Sequence, residues 1–295
     1  MSELAKSLRP EVLASDGPQD YALVDSGNGR RLERFGAKLL DRPEEQAMWA
    51  PSLPESAWAK ADAVFTGDVE EEGAGRWKQR QEEPDWTCRH GALRYRCRLT
   101  SFRHVGVFPE QEAQWRFVSD KLGSAHGAKL LNLFGYTGIA SLVAAEAGAE
   151  VAHVDASKKA IAWARENQAL SGLEEKPIRW LCEDAGKFAA REVRRGNAYD
   201  MILLDPPKYG RGPKNETWRL FEDLPEMLKL CAACLKPGGT LVLTAYAIRA
   251  SYLALHQLCA DIVGGPVTSG EMVLVGEGGA KSLPTSLYCR AEKPK

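Results

Sequence analysis

Residues 130–148 read Leu-Leu-Asn-Leu-Phe-Gly-Tyr-Thr-Gly-Ile-Ala-Ser-Leu-Val-Ala-Ala-Glu-Ala-Gly. The apolar run at the start has the length and character of a buried strand. The run from Ile139 is built of small residues and suits a helix packed closely on a sheet. Between them, Gly135 and Gly138 predict a tight turn that lets a ligand approach the backbone. A strand, a glycine turn and a helix in this order point to an α/β fold. A dinucleotide site would carry G-x-G-x-x-G here. This turn has only G-x-x-G, with Tyr136 and Thr137 inside it, so a pyrophosphate is not the obvious ligand.

The pattern repeats downstream. Glu150-Val-Ala-His-Val-Asp155 is a second strand that ends in an acid. That acid lies about 20 residues beyond the glycine turn, the distance expected of a carboxylate that grips ribose hydroxyls. Ser157 is placed to cap a helix over 158–170. Ile178-Arg-Trp-Leu-Cys182 is a third strand, and Glu183-Asp184-Ala185 opens the next helix. Asp184 is either a plain helix cap or an acceptor near the amino group of an adenine.

The fourth strand carries the chemistry. Residues 202–210 read Ile-Leu-Leu-Asp-Pro-Pro-Lys-Tyr-Gly. Two prolines after Asp205 fix φ and supply no N–H, so the chain leaves the strand as a stiff, extended bend. Asp205 and its carbonyl are then acceptors held at the carboxyl end of a sheet, where open α/β sheets bind ligands. A rigid acceptor pair beside Tyr209 suits an amino group on a flat, stackable ring. The alternative is a strand end with a tight loop.

Together these motifs resemble those of class I S-adenosylmethionine-dependent methyltransferases, over residues from about 105 to 290. The first motif of that class is matched by 132–138, its ribose acid by Asp155, its adenine-side acid by Asp184 and its catalytic-face motif by Asp205-Pro206-Pro207. The sequence Asn132-Leu-Phe-Gly-Tyr-Thr-Gly138 is most similar to the bacterial 23S ribosomal RNA methyltransferases, of which one branch modifies cytosine C5 and another guanine N7. The resemblance implies a doubly wound Rossmann-like sheet with one antiparallel strand. It implies that S-adenosylmethionine lies against Phe108, Asn132, Phe134, Gly135, Tyr136, Thr137, Gly138, Asp155, Ala156, Ser157, Asp184 and Ala185. It also implies a catalytic edge of Asp205, Pro206, Pro207 and Lys208.

One departure narrows the reaction. Methylation of cytosine C5 requires prior addition of a thiolate to the ring, which is covalent catalysis. In the C5 branch that thiol follows the fifth strand. Here the fifth strand, Thr240-Leu-Val-Leu-Thr244, continues Ala245-Tyr-Ala-Ile-Arg-Ala-Ser251 without a cysteine. Cys231 and Cys234 precede it on a helix and read as core. Only Cys182 adjoins a strand end on the active face. Transfer to a base nitrogen needs no thiol, only an aligned lone pair. Three alternatives stay open. They are the same fold acting on a protein or small molecule, C5 chemistry by an unidentified thiol, and a non-catalytic RNA-binding module.

Composition is compatible with this reading. The 295 residues suffice for one large domain and one small one, and a 44% hydrophobic content is ordinary for a globular chain. The C-x-x-C at 231–234 has no second pair, so no metal site is expected. An odd cysteine count without a signal peptide suggests reduced thiols in the cytoplasm. No stretch is long enough for a membrane span. A net charge of −1 speaks weakly against indiscriminate nucleic-acid binding.

Two basic clusters are candidates for RNA contact. In Leu93-Arg-Tyr-Arg-Cys-Arg-Leu99, a period of two puts Arg94, Arg96 and Arg98 on one face. Arg89, Arg103 and His104 flank this strand. The face is either a solvated surface or a set of phosphate contacts. Lys208, Arg211, Lys214 and Arg219 follow the Asp-Pro-Pro bend, with Tyr209 among them. They could clamp a nucleic-acid backbone or merely cover the site.

The rest of the chain sets the domain plan. Residues 1–18 read as a loose tail, 19–104 as a small β-rich substrate-docking domain and 105–295 as the methyltransferase domain. Short antiparallel strands and hairpins are expected over 19–104, with Trp49, Trp58, Trp77 and Trp86 as its core and an acidic loop at 67–75. Pro109 is placed in the first turn of a helix running to about Leu122, with Trp115 and Phe117 inward. Phe108 is a hinge or hydrophobic staple if it does not line the adenosine pocket. A helix at 252–262 and strands at 271–275 and 286–290 close the chain.

Overall fold

The structure, a computed structural model, describes residues 8–67, 75–80, 85–123, 127–214, 216–246 and 250–295. Part of the expected tail, most of the acidic loop at 67–75 and residues 247–249 after the fifth strand lie outside the described residues. The chain divides into two compact units. One comprises 14–113 with 272–285, and the other comprises the remainder. The boundary therefore falls near 113 rather than 104, and a segment far along the chain returns to the first unit. Within the stretch 1–18 expected to be a loose tail, Glu11–Ser15 instead form a strand, β1, at one end of the large sheet.

The smaller unit holds a five-stranded sheet in the order β2 (Tyr21–Gly27), β3 (Arg30–Phe35), β4 (Lys38–Pro43), β5 (Ala63–Gly67) and β6 (Gly75–Gln79). Asn28 and Gly29 make the β2–β3 turn with φ of 53° and 73°, the left-handed pair that a two-residue hairpin requires. The β4–β5 pair is parallel, not antiparallel as the alternating pattern suggested. A helical turn at Glu55–Trp58 supplies the crossover that a parallel pair needs. A separate hairpin joins β7 (Asp85–His90) to β8 (Leu93–Arg98). Of the four tryptophans expected in this core, only Trp58 is fully buried, against Leu32 and Ala61. Trp49, Trp77 and Trp86 sit half-buried at its margin. Trp49 and Trp77 each donate an indole N–H to a backbone carbonyl, of Ser26 and Phe102 respectively.

A charged cluster lies in the interior of this unit. Glu33 accepts from Arg42 at 2.6 and 2.8 Å and from the Tyr21 hydroxyl at 2.8 Å. Arg31 stands 3.4 Å from Glu33 and 3.7 Å from Glu44. Glu110, in the short 3-10 turn Pro109–Gln111, is buried nearby, and its Oε2 has no hydrogen-bond partner among the described residues. Burial pushes its carboxyl up to about 7, against the pull of Arg31.

The larger unit is doubly wound. After α1 (Glu112–Leu122) come β9 (Lys129–Leu133), α2 (Ile139–Glu146), β10 (Glu150–Asp155), α3 (Lys158–Leu170), β11 (Ile178–Cys182), α4 (Ala185–Arg194) and β12 (Tyr199–Leu204). A small hairpin follows, β13 (Tyr209–Arg211) with β14 (Thr217–Arg219), then α5 (Leu220–Cys234) and β15 (Leu235–Tyr246). The chain ends with α6 (Tyr252–Val263), β16 (Val267–Leu274) and β17 (Leu283–Glu292). The sheet order is β1-β16-β17-β15-β12-β9-β10-β11. From β15 to β11 all neighbours are parallel, and β17 runs antiparallel to β15.

The near-continuous apolar runs of β9 and β12 are explained by burial on both faces of the sheet. Leu131, Leu133, Ile202 and Leu204 pack with Phe188, Leu228, Leu241 and Leu243 in one core. Trp115 is buried in α1, and Phe117 is half-buried with the Arg290 guanidinium 3.9 Å above its ring. The strand order reverses between β9 and β12. In open α/β sheets ligands bind outside the carboxyl ends of the strands that flank such a switch point.

Candidate active site at the carboxyl edge of the sheet

The glycine turn leads from β9 into α2. Phe134, Tyr136 and Gly138 all have positive φ, at 59°, 50° and 81°. For Phe134 and Tyr136 this left-handed backbone costs about 1 kcal/mol each, so the surroundings must impose it. The Gly138 N–H closes the turn on the Gly135 carbonyl at 3.0 Å, and the Gly135 N–H reaches the Val154 carbonyl at 3.1 Å. The Thr137 carbonyl accepts from buried Asn167 at 2.9 Å.

Both glycines are required by what lies beneath the loop. A Cβ on Gly135 would stand 2.4 Å from His153 Cε1 and 2.9 Å from Asn132 Nδ2. A Cβ on Gly138 would stand 2.9 Å from Ala164 and Trp180. The sequence suggested that these glycines make room for a ligand, whereas here they make room for the protein's own side chains. Asn132 donates to Ser141 Oγ at 2.9 Å, and Ser141 shares a hydrogen bond with His153 Nδ1 at 2.9 Å. Burial drives His153 down to about 3, so it is neutral. Its ring leans on Trp180 at 4.6 Å, and Trp180 is tied to Gln168 at 2.8 Å. Sequence reasoning missed Ser141, His153, Asn167, Gln168 and Trp180, since each supports the loop through tertiary contact.

Asp155 ends β10 beside this loop. Its Oδ2 accepts the Tyr136 N–H at 2.9 Å and its Oδ1 accepts the Ser157 N–H at 2.8 Å. Burial raises its pKa, and these two amides pull it back. Ser157 caps α3 on the Ala160 N–H, and Ala156 lies between Asp155 and Ser157. Asp184 caps α4, accepting the Lys187 N–H at 2.9 Å, so the helix-cap alternative is satisfied. Ala185 is buried behind it. Glu183 beside it forms a two-pronged pair with Arg191.

Asp205 leaves β12 at the switch point, its N–H 3.4 Å from the Leu133 carbonyl. Pro206 is buried, Pro207 half-buried and Lys208 exposed. The Pro207 carbonyl accepts the Trp218 indole N–H at 2.7 Å, and the Lys208 carbonyl accepts the Leu220 N–H at 3.1 Å. Tyr209 is 40% exposed, and its hydroxyl accepts from Arg211 Nε at 3.3 Å. Glu216 takes the Lys214 N–H at 2.7 Å and Lys187 at 2.5 Å, and these contacts hold its carboxyl at about 2. Glu216 thus sets an acid among the basic residues of the hairpin, paired with Lys187 of α4.

The structure brings the residues of 132–138, 155–157, 184–185 and 205–208 to one edge of one sheet. Phe108 and the three arginines of β8 belong to the other unit. Phe108 is half-buried with its ring 5.6 Å from His104. Arg94, Arg96 and Arg98 share a face as the alternation requires, while Leu93, Tyr95 and Cys97 are buried on the other. Arg96 and Arg98 both pair with Asp85 across the hairpin, at 3.1 and 3.5 Å. That acid was not anticipated, and it reduces the charge the face can offer a phosphate.

The donor set fits an adenosyl ligand. An ionised carboxylate has about four lone-pair positions. Asp155 spends two on the backbone amides above, which leaves acceptor capacity for hydroxyl donors. Asp184 and Asp205 add acceptors on either side. No group of His, Cys, Asp and Glu side chains suited to a metal occurs among the described residues. No helix among them is long and apolar enough to cross a membrane.

Comparison with known proteins gives the family. A family model for S-adenosylmethionine-dependent methyltransferases matches residues 15–256, and the chain belongs to that family. A crystal structure of the SAM-dependent methyltransferase from Agrobacterium tumefaciens is 52% identical, covers 97% of this chain and 94% of its own, and superposes with a TM-score of 0.92. A methyltransferase complexed with SAH shares the fold at 17% identity, with a TM-score of 0.69 over 89% of this chain and 72% of its own. The ribosomal RNA large subunit methyltransferase K/L of Shewanella baltica is 35% identical over 159 residues, or 53% of this chain. The chain spans about a fifth, 21%, of that relative's length. It is accordingly an S-adenosylmethionine-dependent enzyme, and its larger unit is doubly wound.

Proposed function

We propose that this methyltransferase modifies a base nitrogen of RNA, with ribosomal RNA the favoured acceptor. The observation that carries the reading is the Asp205-Pro206-Pro207 bend, which stands at the switch point beside the glycine loop. S-adenosylmethionine, when bound, supplies a methyl group made electrophilic by the sulfonium. Asp205 accepts a hydrogen bond from the amino or ring-nitrogen edge of the target base and aims its lone pair. The two prolines fix that acceptor without offering a competing N–H. Tyr209 and Arg211 flank the acceptor's entry, and Lys208 and Lys214 attract the phosphate backbone.

The cysteines support nitrogen over cytosine C5. Cys231, Cys234, Cys259, Cys289, Cys88 and Cys97 are buried, and Cys182 alone is exposed. Burial pushes the Cys234 thiol up to about 11, far from a ready thiolate. Cys182 ends β11, two strands away from β9 and three from β12. RNA as acceptor is supported by the similarity to ribosomal RNA large subunit methyltransferases K/L and by the two basic clusters. This reading implies a cytoplasmic enzyme. The test is tritium transfer from labelled S-adenosylmethionine into total RNA, followed by nucleoside analysis. A labelled N-methyl nucleoside is expected. Label confined to protein, or to 5-methylcytidine with a trapped Cys182 adduct, would overturn the proposal.

A further inference from the structure

We propose that Trp218 is a positioning residue that fixes the cofactor loop against the acceptor edge. It occupies the middle of β14, opposite Gly210 of β13. Its indole N–H donates to the Pro207 carbonyl at 2.7 Å. Its ring lies 5.0 Å from the ring of Phe134, tilted by 55°. One side chain therefore touches both the bend after β12 and the loop after β9.

The reaction explains why such a contact matters. Methyl donor and acceptor are held by different loops, at the ends of two different strands. Transfer in line requires their separation to be right within a few tenths of an ångström, and a 1 Å misplacement costs about 100-fold in rate. The parallel register of β9 and β12 sets the strands but stops at Leu133 and Leu204. Beyond it, the Asp205 N–H to the Leu133 carbonyl is a long bond, 3.4 Å. Trp218 spans the remaining gap. Its ring supports Phe134, whose φ of 59° needs support. Its N–H locks the carbonyl that ends the Pro-Pro pair. Gly210 allows the hairpin to fold this tightly, since a Cβ there would stand 3.3 Å from Pro207 Cγ.

The activity arm of the test rests on the RNA reading above, and the other two arms do not. Trp218→Phe keeps a ring against Phe134 and deletes the N–H. Trp218→Ala deletes both. In the full chain, three quantities are measured: S-adenosylmethionine affinity by calorimetry, single-turnover RNA methylation at saturating cofactor and RNA, and amide exchange. For Trp218→Phe, cofactor affinity is expected within about twofold of wild type, with transfer about tenfold slower. Exchange should speed up at 205–210 only. For Trp218→Ala, affinity falls as well, and exchange speeds up at 133–137 too.

A merely structural role would lower both rate and binding stoichiometry by the same factor. That outcome, or a Trp218→Phe variant indistinguishable from wild type, overturns the proposal. If the wild-type enzyme leaves RNA unlabelled, the RNA reading fails alone. Exchange that rises together at both segments in Trp218→Ala then still supports the coupling, and unchanged exchange overturns it.

Discussion

The carboxylate of Asp155 accepts the Tyr136 N–H at 2.9 Å, joining the end of β10 to the turn after β9. A second oxygen of the same group holds the Ser157 N–H at 2.8 Å. The acid that the spacing assigns to a ribose is therefore also the clamp that shapes the loop. Removing it should harm cofactor binding twice, by losing ligand contacts and by releasing a left-handed Tyr136.

Asp155→Ala should weaken S-adenosylmethionine by about 2–3 kcal/mol, roughly 30- to 150-fold, the scale of hydrogen bonds to a charged acceptor. Asp155→Asn should recover only part of this, since its amide offers one acceptor to two backbone donors. Calorimetry measures both. Unaltered affinity in the alanine variant would remove Asp155 from the cofactor site.

Gly135→Ala should cost more than an exchange at an open turn. The new methyl would meet His153, which is fully buried and wedged against Trp180. Overpacking of this kind destabilises by about 1–3 kcal/mol, and here the strain falls on the glycine turn proposed to hold the cofactor. A lower melting temperature together with weaker cofactor binding is expected. His153→Ala in the same chain should restore part of both, because it vacates the space. No restoration would mean that the loop, not the histidine, rejects the methyl.

What could be read from the chain and what could not divides along one physical line. Strand ends announce themselves, because an apolar run followed by an acid or a proline is a local signal. Asp155, Asp184 and Asp205 were legible for that reason, as was the parallel sheet. The supports were not. His153 sits inside an apolar run, and Trp218 lies in a short hairpin of mostly polar residues. Their partners are distant in sequence. The domain plan failed similarly at 272–285, where a late segment joins an early unit. Asp85 faces Arg96 and Arg98 only through hairpin register, so the charge of that strand was overestimated from its own residues.

Stability should carry a pH signature from Glu110. Its folded pKa, about 7, lies above its ordinary value of 4.5. Between those values the folded state holds more protons than the unfolded, so stability falls as pH rises through this window. His153, at about 3, and His104, at about 4, are depressed below 6.5 and act oppositely, adding stability as pH rises toward that value. The observable is therefore a difference between variants. Glu110→Gln should gain melting temperature relative to wild type as pH rises from about 5 to 7.5, then level off. A difference independent of pH would show that the carboxyl titrates normally.

Arg94, Arg96 and Arg98 changed together to Gln should weaken RNA binding and leave cofactor affinity intact. Each lost phosphate contact lowers the log–log salt slope by roughly 0.7–0.9. Because Asp85 already engages two of the three, the change should be smaller than three contacts' worth. Asp85→Asn should tighten RNA binding and steepen the slope. If neither variant alters the salt dependence, the strand is a solvated face and RNA approaches elsewhere.

Asp205 should govern rate more than affinity. It stands where β12 ends, beside the glycine loop after β9, and two prolines keep it there. A contact that aligns the acceptor's lone pair strengthens in the transition state and shows mainly in kcat. Asp205→Ala should slow single-turnover transfer by about 100-fold or more, the scale of ~3 kcal/mol, with S-adenosylmethionine affinity little changed. Asp205→Asn should keep part of the activity, because its amide oxygen still accepts a hydrogen bond. Wild-type transfer by Asp205→Ala would make the Asp-Pro-Pro bend a structural corner and move the acceptor site elsewhere on the sheet.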